Sequence, residues 1–60
     1  MTDEQRKEIC KAFFYRMTIK EIAGAEQIDA EEIAKAIRWG EITGYTSELK
    51  GRVENKAERN

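Results

Sequence analysis

Two helix-start signals, Thr18-x-x-Glu21 and Asp29-x-x-Glu32, bracket a short apolar stretch and constrain this chain more than any other feature. A Thr or Asp side chain accepts a hydrogen bond from an amide one turn in, and the Glu three residues on reaches back to the cap amide. Ile19, Ile22 and Ala23 follow the first signal, Ile28 stands alone, and Ile33, Ala36 and Ile37 follow the second. The spacing predicts two short helices, about Ile19 to Glu26 and about Ala30 to Trp39, with a tight corner at Gln27 and Ile28. Gly40 is the expected C-terminal cap of the second. Two such helices share one core only if they approach closely. Ala23 is small where they cross, Ile22 and Ile33 meet across the corner, and Ile28 plugs it from inside.

The flanks extend the helical pattern. Thr2 and Gln5 predict a capping box for a helix over about Asp3 to Tyr15, with Asp3 and Glu4 at the positive end of its dipole. At about 100° per residue, Ile9, Cys10, Phe13, Phe14 and Met17 share one arc, which predicts a core face. Arg16 and Met17 form the first corner. The segment Glu41–Ser47 is rich in turn and cap formers, and Gly44 interrupts any helix there. Thr46 or Ser47 then caps a fourth helix over about Glu48 to Glu58. Its apolar stripe of Leu49, Val53 and Ala57 is thin, and Gly51 weakens it. A hairpin through Ile42-Thr43 and Tyr45-Thr46, making a small wing, is the minor alternative. The end, Glu54 to Asn60, is expected to be frayed or solvated. No strand-like alternation competes, so the expected class is all-α.

A chain of 60 residues buries only about 60% of its unfolded surface, so a lone core is marginal. The single cysteine, Cys10, forms no internal disulfide, and without histidine the chain builds no structural zinc site. Self-association is the remaining common way to add buried surface. No apolar run approaches the roughly 20 residues of a membrane span. The charged N-terminus does not have the pattern of a signal peptide, and a cytoplasmic location is expected. The 11 basic and 12 acidic residues leave a net charge of -1. That argues against a general nucleic-acid binder, which carries a basic excess, but leaves room for a specific one with a local patch. Catalysis has no support: there is no histidine, no phosphate-cradling Gly-rich loop and no metal-ligand cluster. Cys10 lies on the apolar arc with no base to activate it. Glu31 and Glu32 are adjacent on a helix and diverge. No enzyme activity, cofactor or metal is expected.

The run Met17-Thr18-Ile19-Lys20-Glu21-Ile22-Ala23 followed by Ile28-Asp29-Ala30-Glu31-Glu32-Ile33 resembles bacterial helix-turn-helix domains. These are of the kind found in sigma-factor region four, resolvases and small phage or mobile-element regulators. The resemblance covers about Arg6 to Trp39. It implies a trihelical helix-turn-helix core within residues 1–47, with a short C-terminal helix and tail in 48–60. It further implies a small transcriptional regulator or mobile-element accessory protein that binds double-stranded DNA with its third helix in the major groove. Two departures stand out. Gln27 occupies a corner where such domains often carry Gly, which suggests a corner built differently, and the third helix starts with Asp29, Glu31 and Glu32.

On this reading the exposed face of the third helix is Ala30, Glu31, Ala34, Lys35 and Arg38. The two alanines permit close approach and contact with a thymine methyl, Lys35 and Arg38 pair with guanine or phosphate, and Glu31 accepts from a cytosine amino group. A Glu31–Lys35 pair on a solvated face is the plainer account of two of them. Thr18, Lys20 and the first amides of the second helix hold a backbone phosphate. Trp39, Ile42 and Tyr45 form a homodimer interface, or pack against the first or fourth helix. The main alternative is a protein-binding module on the same scaffold, an inhibitor or adaptor, motivated by Glu26, Glu31, Glu41 and the balanced charge. A helical bundle whose dimer face is its only partner site is the third.

Overall fold

The computed structural model describes the backbone of residues 1–58 and the side chains of residues 1–52. Four helices follow one another: α1 (Asp3–Phe14), α2 (Ile19–Glu26), α3 (Ala30–Thr43) and α4 (Tyr45–Glu58). No strand occurs among the described residues, so the chain is all-α and the wing is absent. The apolar stripe expected at Val53 and Ala57 lies outside the described side chains; the end expected to fray from residue 54 is helical to Glu58, and residues 59–60 lie outside the described residues.

Local chemistry sets two of the helix starts and both corners. Thr2 Oγ1 accepts from the Gln5 amide at 3.1 Å, the first half of a capping box. At α2 the box is complete: Thr18 Oγ1 accepts from the Glu21 amide at 3.1 Å, and the Thr18 amide donates to Glu21 Oε1 at 2.9 Å. The box expected at α3 does not form. Asp29 accepts through its backbone carbonyl from Glu32 and Ile33, its side chain makes no cap bond, and the Glu32 carboxylate turns to Lys35 instead. Both corners are Schellman turns. Met17 donates to Ala12 O and Ile28 to Ala23 O, each at 3.1 Å. The residue before each donor is left-handed: Arg16 has φ 78° and Gln27 φ 57°. Gln27 thus adopts the conformation that Gly would take, so the second corner is not built differently. A side chain in that region costs about 1–2 kcal/mol, offset here by the closing bond and the packing of Ile28 on the core.

That core is small. Ile9 of α1, Ile22 of α2 and Ile33 of α3 are at most 1% exposed, and Ala36 joins them. Burying an isoleucine side chain contributes about 1.5–3 kcal/mol. Ala12, Ile19, Ala23, Ile28 and Ile37 pack around them. Cys10 and Leu49 are buried where α1, α3 and α4 meet. The apolar arc of α1 is only half used. Phe13 is 43% exposed and, in the corner after α1, Met17 36% exposed; Phe14 is half-buried.

α3 does not stop at Trp39. It runs to Thr43, and left-handed Gly44 (φ 85°) ends it. Gly40 is an interior helical residue, and it is buried. A Cβ there would lie 2.5 Å from Cys10 Sγ and 2.8 Å from Thr46 Oγ1. Glycine in a helix costs about 1 kcal/mol against alanine, but here its bare Cα lets α1, α3 and α4 close on one another. α4 accordingly starts at Tyr45 rather than Glu48 and packs on both α1 and α3, so the boundary expected after residue 47 falls inside it. Gly24, by contrast, faces open space. Gly40→Ala is expected to destabilise by about 1–3 kcal/mol, and Gly24→Ala to stabilise by about 0.5–1 kcal/mol. Thermal unfolding of the two variants checks the pair, and equal shifts would contradict the close approach at Gly40.

Candidate functional site

Burial of Ile33, Ala36 and Gly40 turns the opposite side of α3 outward. Ala30, Glu31, Ala34, Lys35 and Arg38 are all exposed there, as the spacing predicts. Lys35 is held: its Nζ lies 3.3 Å from Glu32 Oε1, an i, i+3 pair, where the sequence suggested Glu31. Both partners are mainly exposed, so the pair is weak. Arg38 has no ion-pair partner among the described residues, and neither has Lys20. Ile42 continues this side of α3, one turn beyond Arg38, and is 78% exposed.

Thr18 and Lys20 are exposed at the start of α2. The hydroxyl and amide of Thr18 are both engaged by Glu21. The Glu21 carboxylate therefore stands where an incoming phosphate would meet the N-terminus of α2. Its pKa is lowered from the ordinary 4.5, first by the Thr18 amide and then by the Thr18 hydroxyl.

Trp39, Ile42 and Tyr45 do not form one free patch. Trp39 and Tyr45 are half-buried and touch each other, ring centroids 6.3 Å apart. The Arg6 guanidinium lies 5.8 Å from the Trp39 ring centre, and the Lys7 ammonium 5.6 Å from that of Tyr45. Both rings are thus cation–π partners of α1. Only Ile42 stands clear.

Cys10 is enclosed, and its Sγ donates to Ala36 O at 3.3 Å. Burial raises its pKa, with a smaller push from the charge of Glu41 against an opposing Gly40 amide. Among the described residues no three His, Cys, Asp or Glu side chains converge as metal ligands, and no helix is long and apolar enough to cross a membrane. One feature escaped the sequence. Phe13, Phe14 and Ile37 wall a cavity of about 140 Å³ with Cys10, Glu41 and Thr46. No sequence signal separates it from the core, because Phe13 and Phe14 lie on the same apolar arc of α1 as the buried Ile9 and Cys10. No family model matches the chain, and no curated protein or solved structure matches it.

The Thr18–Glu21 box makes the stability of α2 pH-dependent. The folded pKa of Glu21 is lowered, so its contribution is complete above the unfolded value near 4.5 and is lost as pH falls through the lower folded value. Helical circular dichroism melts should show the parent more stable than Glu21→Ala at about pH 6, with the gap closing toward about pH 3. A gap that widens in acid would contradict the capping geometry.

Proposed function

We propose that the chain binds double-stranded DNA sequence-specifically, with the outward face of α3 in the major groove, as a small regulator or mobile-element accessory protein. The observation that carries this is the open face itself. Small Ala30 and Ala34 and cationic Arg38 and Lys35 lie together on one side of a helix whose other side is pinned by the core. α2 braces that helix through a tight left-handed corner, the arrangement a groove-entering helix needs. In this reading Arg38 is the principal base contact, since Lys35 must first leave Glu32, and Lys20 meets the phosphate backbone. Thr18 serves the phosphate contact by fixing the start of α2.

Binding as a homodimer belongs to the same proposal. A small reader gains affinity by setting two recognition helices about 34 Å apart. Ile42, one turn past Arg38 and beyond the stretch of α3 assigned to the groove, is the centre of the proposed contact, with the outer parts of Trp39 and Tyr45 beside it. The second reading, a protein-binding module, is favoured by one observation: Lys35 is neutralised by Glu32, which leaves Glu31 and Glu41 prominent on α3.

Duplex binding measured at two salt concentrations tests the first reading. Arg38→Ala should cost about 1–3 kcal/mol on the preferred sequence. Lys20→Ala should weaken binding on every sequence and reduce the salt slope by about one. The double variant Lys35→Ala/Arg38→Ala should lose binding while keeping its helicity. A parent chain that ignores DNA at low salt would sink this reading and leave the protein-binding one. For the dimer, sedimentation equilibrium at micromolar concentration should give about twice the chain mass, and Ile42→Glu should return it to the monomer. A fully helical parent that stays monomeric would remove the dimer.

A further inference from the structure

The cavity between α1, α3 and the start of α4 is not used by the proposed DNA contact. Its volume is about 140 Å³, with Phe13, Phe14 and Ile37 as apolar walls, Cys10 between them, and Glu41 and Thr46 as its polar lining. Three features define what fits. The first is size: an apolar cavity of about 150 Å³ takes up a molecule as large as benzene. The second is the lining, in which two phenylalanine rings suit a ring or a compact alkyl group and attract a cation to their faces. The third is charge. No lysine or arginine lines the cavity, and Glu41 is its one carboxylate. Glu41 makes no ion pair among the described residues. Its field reaches the cavity wall, where it helps to raise the pKa of the Cys10 thiol. Cys10 is already hydrogen-bonded to Ala36 O, so it leaves the interior without an unmet polar demand.

The geometry points to a binding site for a small hydrophobic amine, whose benzene-sized apolar group fills the space between Phe13, Phe14 and Ile37 and whose ammonium pairs with Glu41. Thr46 offers the ammonium a second oxygen. An anion of the same shape meets Glu41 and is rejected; a neutral one gains the apolar contact alone.

Three probes of one shape separate these contributions: benzylammonium, toluene and benzoate, titrated into the full chain while amide chemical shifts are followed. Benzylammonium should give saturable shifts centred on Cys10, Phe14, Ile37 and Glu41, toluene weaker binding at the same amides, and benzoate the weakest. Glu41→Gln, an exposed change that leaves the core intact, should lower benzylammonium affinity about two- to fivefold, the worth of an exposed ion pair, and leave toluene unchanged. Phe13→Ala should weaken both. Equal binding of benzylammonium and benzoate, or an unchanged benzylammonium affinity in Glu41→Gln, would overturn the amine assignment. Millimolar probes that move none of these amides would overturn the site itself.

Discussion

The contact of Ile9, Ile22 and Ile33 is what the rest of the structure depends on. Each of the first three helices contributes one isoleucine with essentially no exposed surface, and the three meet at one point. A domain this short has few other ways to exclude water. Because Ile33 is fixed there, the rotation of α3 about its own axis is fixed too, and with it the set of side chains that face outward. The exposure of Ala30, Glu31, Ala34, Lys35 and Arg38 is therefore a consequence of the core.

A second constraint acts at the other end of α3. Gly40 touches Cys10 and Thr46 so closely that no side chain fits between them. This contact docks α4 onto the three-helix unit and buries Leu49. Toward the end of α1, Phe13 and Phe14 line an open cavity with Ile37 and Glu41 of α3 instead of completing the core.

Electrostatics are mostly local. The described ion pairs join residues three or four apart on one helix, and exposed pairs of this kind add little to stability. Their effect is on availability. Glu32 occupies Lys35 and Glu21 occupies the start of α2, while Arg38 and Lys20 stay open. In a chain with net charge -1, that leaves Arg38 and Lys20 among the cations without an ion-pair partner in the described residues.

Much of the fold was legible in the sequence, because it is set by short-range chemistry. The spacing of Ile22, Ile28, Ile33 and Ala36 identified the core, Thr2 and Thr18 marked two helix starts, and the bounds of α2 follow from its cap and corner. The same periodicity defined the outward face of α3. Where local rules admit two outcomes, tertiary structure decided. Glycine ends a helix or permits close approach; Gly40 does the second because Cys10 and Thr46 press against it, and Gly44 does the first. Asp29 has the chemistry of a cap but leaves it to its backbone. Gln27 accepts the left-handed conformation because the closing bond and the packing of the partly buried Ile28 beside it compensate. Phe13 has the periodicity of a core residue, yet periodicity gives only direction around a helix axis. Whether a neighbour fills the space on that side is settled by packing, and beside Phe13 it stays a cavity bordered by Ile37 and Glu41 of α3.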